Sequence, residues 1–338
     1  MLSTASAITL NSSLLEESFL ISPQLREYLQ DYCDAEEFKL EPRRRAQLYV
    51  PLNKPRFKEK IGNGEIVADG FIWDLEDSIP IAQKQVARDN IATIPPKPGD
   101  IEYSVRINMD NPDLLAKDIE AVKTFPFDSI TIPKGESSTQ IMQVINAIGE
   151  DKNYIVTIET IKGLRAIDEI ASVLRPGCDA FGFGVGDLSM EMGVERMSTT
   201  ESVLLQQVLA KIALAAKAQG LDSFDSISAR VNEVESVRAE AELSARVFGF
   251  TGKRVINPKH LDVVKSVFSP KTTEIKLQLA ILEAYLGSTM VNAHVVDTEY
   301  KGLPEFKGAD AKVKRYLRQG YFPSLVPSFM STPQLLNS

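Results

Sequence analysis

Tyr154-Ile155-Val156-Thr157-Ile158-Glu159-Thr160, a helical pattern over Leu164–Leu174, and then Ala180-Phe181-Gly182-Phe183-Gly184-Val185-Gly186-Asp187 form one strand, helix and strand in succession. Both strand candidates are short, almost unbroken apolar runs, as expected of strands covered on both faces, and a helical crossover between two strands makes them parallel. Each run ends in an acid, Glu159 or Asp187.

The same rhythm extends in both directions. Further strand candidates are Gln47–Val50, Phe71–Leu75, Tyr103–Ile107, Ser129–Ile132, Phe224–Ser228 and Arg254–Ile256. Helical periodicity fills Asp113–Val122, Gln140–Ile148, Ser202–Ala218 and Val234–Phe248. Eight β/α units predict an α/β fold, a (β/α)8 TIM barrel over residues 44–270; a doubly wound open sheet has the same local rhythm. Residues 1–43 form an N-terminal helical extension whose apolar Leu14, Leu15, Phe19 and Leu20 are expected to pack outside the main domain. Residues 271–338 form a C-terminal helical and loop extension, with a helix over Thr272–Leu286 and a polar tail carrying Asp297-Thr298-Glu299. Such a tail packs under its own barrel or reaches across a neighbouring subunit.

In a barrel the C-terminal ends of the strands carry the chemistry. The predicted strands deliver Trp73-Asp74-Leu75-Glu76-Asp77, Arg106-Ile107-Asn108, Pro133-Lys134, Glu159 and Asp187 to that rim. A carboxylate following an apolar run needs a cation or an arginine beside it. With His260 and His294 as the only histidines, two carboxylates suit a hard, oxygen-seeking divalent ion better than zinc. Both histidines are expected to be structural.

Other chemistries lack their signatures. A net charge of -8, with Arg43-Arg44-Arg45 as the only dense basic run, argues against a nucleic-acid partner. No apolar run approaches membrane-spanning length, and the N-terminus lacks the basic and apolar halves of a signal peptide. Cys33 and Cys178 lie far apart without C-x-x-C spacing, so a reducing cytoplasm is expected. There is no G-x-S-x-G elbow, and Gly182-Phe183-Gly184-Val185-Gly186 lies inside a strand, without the spacing of a dinucleotide fingerprint.

Taken in order, Arg45–Pro51 with Lys54-Pro55-Arg56, Asp74-Leu75-Glu76-Asp77-Ser78, Val105-Arg106-Ile107-Asn108, Ile132-Pro133-Lys134, Ile158-Glu159-Thr160, Gly186-Asp187-Leu188, Gly252-Lys253, Ile256-Asn257-Pro258 and Phe268-Ser269-Pro270 resemble the HpcH/HpaI aldolase and citrate lyase β-subunit superfamily, which includes malyl-CoA lyases. The resemblance covers roughly Arg44 to Ile275. It implies Glu159 and Asp187 as the two Mg²⁺ ligands, with Mn²⁺ as the alternative ion. It also implies Arg106 as the arginine on the substrate carboxylate or enolate oxygen, with Lys54, Arg56, Glu76 and Lys134 as further substrate-binding positions.

The pyruvate-aldolase branch carries Asp-x-Glu-His at strand two. This chain has Asp77 there, which favours the citrate lyase-like branch and makes Asp77 a catalytic candidate. In that branch an acid from a neighbouring subunit's C-terminal extension completes the site, and Asp297 is the matching position. The chain departs from the family at Leu52 (usually glycine), Gly186 (usually acidic) and Asn257 (usually histidine). The first and third lie near segments that bind CoA in relatives.

The expected activity is therefore a Mg²⁺-dependent carbon–carbon lyase, or the reverse condensation. It acts through a metal-bound enolate on a 3-hydroxyacyl thioester such as a citryl- or malyl-CoA, or on a related hydroxy acid, within a homo-oligomer, trimeric or hexameric. The alternatives are a class II pyruvate or oxo-acid aldolase, and a catalytically silent barrel serving as a binding subunit.

Overall fold

The computed structural model describes residues 21–35, 38, 40–287, 294–296 and 299–322. Leu14, Leu15, Phe19, Leu20 and Asp297 lie outside them, as does the side chain of His294.

Eight parallel strands close on themselves in chain order: β1 (Ala46–Pro51), β2 (Gly70–Asp74), β3 (Glu102–Arg106), β4 (Ser129–Ile132), β5 (Asn153–Ile158), β6 (Ala180–Phe183), β7 (Asp222–Asp225) and β8 (Gly252–Val255). The ring closes where Ala46, Gln47 and Leu48 pair with Lys253, Arg254 and Val255. Helices lie between the strands, and the fold is the (β/α)8 barrel; the open-sheet alternative fails at the β1–β8 pairing.

Two strands sit earlier in the chain than their apolar runs suggest. β7 ends at Asp225 because Ser226 turns its backbone N–H onto the Asp225 carboxylate and its hydroxyl onto the N–H of Val185, leaving the ladder. β8 begins at Gly252, where an added Cβ would lie 2.1 Å from the carbonyl oxygen of Arg44, so the two backbones meet closely only because this residue is bare. The pattern over Leu164–Leu174 resolves into two short helices, Ile161–Arg165 and Ile167–Ala171. The helix expected over Val234–Phe248 is regular over Val234–Glu242 and widens into a π-turn over Leu243–Val247. There Ser244 is fully buried, and its hydroxyl reaches both the Glu240 carbonyl and Asp225.

The barrel interior is layered and unusually polar. At the N-terminal end Arg44 pairs with Glu102 at 2.7 Å, and Gln47 donates to the same carboxylate. Ile155, Ala180 and Phe224 form an apolar cluster. Closer to the mouth, Arg254 of β8 donates to Thr157 of β5 and Tyr49 of β1. Because β8 and β5 are not neighbours in the ring, that contact crosses the barrel.

The described residues among 1–43, 98–100 and 270–338 form a second compact unit. Its helices Pro23–Asp34, Thr272–Leu286 and Leu303–Arg318 bury Leu25, Leu29, Leu279, Leu282, Val313 and Leu317 in one shared core. The two extensions, read from the sequence as separate segments, thus belong to a single unit. No helix among the described residues is long and apolar enough to cross a membrane.

Candidate active site

β2 ends in Asp74, a fully buried acid that organises everything after it. Its two oxygens accept from the backbone of Glu76 and Ser78, which bends the chain back, and from Nε and Nη2 of Arg106, each at 2.7 Å. Arg106 is therefore locked by a two-bond fork, the strong geometry for guanidinium and carboxylate. Nε and Nη2 are thus taken by Asp74, and Nη1 is left at the site, 2.7 Å from Glu76 and 3.6 Å from Asp77. Burial works against the charge of Arg106, yet Asp74 holds it protonated well above the ordinary arginine value.

Lys84 braces the loop from behind. It is buried, and its amine donates to the carbonyls of Leu75 and Glu76 and to Oδ1 of Asn108. Asn108 is fixed in turn by Asp118, which pairs with Arg88.

β4 delivers Lys134, the one non-glycine residue among those described with a left-handed backbone, at φ 48. Such a conformation is disfavoured with a Cβ present. Here it turns the Lys134 N–H onto Oε1 of Glu159 at 2.8 Å, while the amine reaches Glu76 at 3.3 Å and also pairs with Asp110. Glu159, at the end of β5, is only 6% exposed. Its other oxygen lies against Gly184, where a Cβ would come within 2.2 Å of it. Asp187, half-buried in the first turn of helix Val185–Glu191, is close enough to raise the pKa of Glu159.

This cluster is short of positive charge. Glu159 is pushed up from 4.5 to about 7 by burial and by Glu76, against the pull of Arg106. Glu76 also rises to about 7 through burial, with Arg106 lowering it and Asp77 raising it. Two crowded carboxylates that resist ionisation are what a divalent cation would relieve. No trio of His, Cys, Asp or Glu surrounds one point among the described residues. Mg²⁺ does not require one, since it commonly keeps several waters and takes one or two carboxylates. Glu159, Asp187 and the bare Gly184 fit such an ion.

The structure thus gathers Arg106, Glu76, Asp77, Lys134, Glu159 and Asp187 at one mouth. Lys54 and Arg56, in the turn and helix after β1, are exposed and stand outside this ion-pair cluster. His260 is buried and bonds the carbonyl of Val231 at 3.0 Å, a structural role. Sequence reading passed over Asp74, although it stands in the quoted motif, and also Lys84, Tyr49 and Arg254. A polar residue alternating inward with Gln47 would have marked Tyr49, and a charge in mid-strand would have marked Arg254.

A family model described as HpcH/HpaI aldolase/citrate lyase matches residues 45–258. The chain belongs to this family. Within it, a (3S)-malyl-CoA thioesterase of Cereibacter sphaeroides is 32% identical over 245 residues, covering 71% of this chain and 83% of the relative. The citrate lyase subunit beta of Escherichia coli is 25% identical over 271 residues, covering 75% and 88%. The citrate lyase beta subunit of Mycobacterium tuberculosis, complexed with oxaloacetate and magnesium, superposes with a TM-score of 0.58 at 27% identity, covering 68% of this chain and 98% of that one. The family is enzymatic, and the match spans the whole rim from β1 to the turn after β8.

Proposed function

We propose that the chain is a Mg²⁺-dependent carbon–carbon lyase, or the condensing reverse, acting on a 3-hydroxyacyl thioester or a related hydroxy acid. The observation that carries this reading is the juxtaposition of Glu159 and Asp187 with an arginine already locked in place by Asp74.

When a bond beside a carbonyl breaks, the hydroxyl proton leaves to a base and the electron pair passes to an enolate. Mg²⁺ held by Glu159 and Asp187 would act as a Lewis acid on the oxygens of the oxy-acid. Arg106 presents Nη1 as a fixed positive edge to charge that develops during the reaction. Because Asp74 holds the guanidinium in place beforehand, no reorganisation is needed as that charge appears. Asp77, exposed at the lip, takes the hydroxyl proton. Glu76 and Lys134 orient the substrate, and the exposed Lys54 and Arg56 meet the phosphates of a CoA thioester. In a homo-oligomer, Asp297 from a neighbouring subunit adds a second acid or base. The setting is cytoplasmic.

A second reading is favoured by the relatives named (3S)-malyl-CoA thioesterase, in which water takes the acyl group and the carbon skeleton survives. One assay separates the two. Incubated with malyl-CoA and Mg²⁺, a lyase releases an oxo-acid and a shorter acyl-CoA, whereas a thioesterase releases free CoA and intact hydroxy acid. Neither product set, with Mg²⁺ present and a panel of 3-hydroxyacyl thioesters and free hydroxy acids tried, would overturn the proposal.

A further inference from the structure

One part of the mouth is left without a role by the chemistry above. Tyr49 projects inward from β1 so that its ring lies beneath the Arg106 guanidinium, 4.8 Å from its central carbon, and the residue keeps partial exposure. It forms part of the floor on which a ligand of Arg106 would rest.

Its hydroxyl is engaged on one side only. Oη accepts from Nη1 of Arg254 at 3.2 Å, and among the described residues no acceptor takes the phenol's own proton. Arg254 is itself anomalous: it is 1% exposed, its hydrogen bonds are to the hydroxyls of Tyr49 and Thr157, and among the described residues its Nε and Nη2 have no partner. Among the described residues no carboxylate lies within ion-pair distance of it. Space for it exists because residue 182 is glycine; a Cβ there would lie 2.4 Å from Nη1. A buried cation without a counter-charge is costly, and one bonded to a hydroxyl oxygen makes that hydroxyl a stronger donor.

The layer occupied by Arg254 sits directly under the site. Thr157 and Gly182 each precede by two residues, on the same strand face, the residues Glu159 and Gly184 that shape the carboxylate pair. Burial keeps the phenol protonated against the pull of Arg254 and Arg106, so it remains a donor at neutral pH.

We infer that the Tyr49 hydroxyl, held from below by Arg254, donates a hydrogen bond to an oxygen of the oxy-acid bound between Arg106 and Glu159. The inference rests on the preceding reading that an oxy-acid binds there. Tyr49 touches the ligand; Arg254 is a positioning residue that aims the phenol and strengthens its donation. The arrangement selects a small dianionic or enolate-like ligand that offers an acceptor oxygen to the floor as well as to Arg106.

Calorimetric titration of oxalate into the full chain saturated with Mg²⁺ tests this, alongside titration of Mg²⁺ alone. Tyr49→Phe is expected to leave Mg²⁺ affinity unchanged and to weaken oxalate about 10-fold or more, the loss typical of one hydrogen bond to a charged group. Arg254→Met should cost about as much, Arg254→Lys should recover part of it, and the Tyr49→Phe/Arg254→Met double variant should lose no more than the worse single variant. A packing role would instead lower the melting temperature and leave oxalate affinity intact. Unchanged oxalate binding in Tyr49→Phe, with binding lost in Arg106→Lys, would refute the role of Tyr49 while leaving the site reading in place. Wild-type protein that binds no oxalate with Mg²⁺ present would overturn both. If Arg254→Met fails to fold, Tyr49→Phe alone decides the matter.

Discussion

Replacing Glu159 with glutamine should make the metal-free protein more stable, although the residue is nearly buried and sits at the centre of the site. In the fold this carboxyl titrates near 7 rather than 4.5. Below the lower value both folded and unfolded chains hold the proton, so the group is neutral in both. As the pH rises towards 7 the unfolded chain ionises first, and the folded state falls behind in stability. At 1.36 kcal/mol per tenfold shift in proton affinity the full penalty is about 3 kcal/mol, and sharing of protons with Glu76 reduces it to about 1–3 kcal/mol. Glutamine removes the charge and keeps an acceptor for the Lys134 N–H. Urea unfolding in EDTA is the assay. Glu159→Gln should exceed wild type at pH 8, match it near pH 4, and gain little from Mg²⁺, which should stabilise the wild type. A variant less stable than wild type at pH 8 in EDTA would refute the reasoning, since it would mean that the ionised carboxylate is well accommodated without a cation.

Three further outcomes are expected. Gly184→Ala should fold yet lose Mg²⁺ affinity, because the added methyl would lie 2.2 Å from Oε2 of Glu159 and must displace it; calorimetry reads this directly. Arg106→Lys should keep the fold and the metal while losing about 100-fold or more in turnover, since an ammonium cannot hold both Asp74 oxygens and still present an edge to the substrate; steady-state kinetics on the identified thioester checks it. Mixing Asp297→Asn with Arg106→Ala subunits, each inactive alone, should restore activity if a neighbour's tail completes the site; confirmed subunit exchange without recovery would exclude that arrangement.

The barrel was legible because several strands, buried on both faces, write themselves as nearly unbroken apolar runs, such as Tyr154–Ile158. The errors arose where backbone contact outweighed apolarity. Gly252 reads as a loop residue, yet β8 needs it against Arg44, and Ser226 and Ser228 follow Phe224 in register but turn off to bond Asp225 and to cap the following loop. Among the candidate site residues, those displayed at strand ends stand out in the sequence because position alone marks them. Those acting through other groups do not. Asp74 looks like one more acid until its fork with Arg106 is seen, and Lys84 lies in a helix whose sequence gives no hint that its amine ties down the β2 loop. Tyr49 and Arg254 meet where the last strand closes on the first, and Arg254 also reaches Thr157 across the barrel, contacts between distant segments that no local pattern encodes.

Gly182 of β6 and Gly184 just beyond it also govern how this sequence can change. Gly182 leaves room for Arg254, and Gly184 leaves room for Glu159, each from a strand other than its own. A side chain at residue 182 is tolerable only after residue 254 has been shortened, whereas shortening residue 254 first meets no steric obstacle. The order of substitution therefore matters, and descendants of this chain can leave the present arrangement by one route more readily than they can return. Chimaeras that exchange β6 with a relative should fail or succeed according to which residue that relative carries on β8.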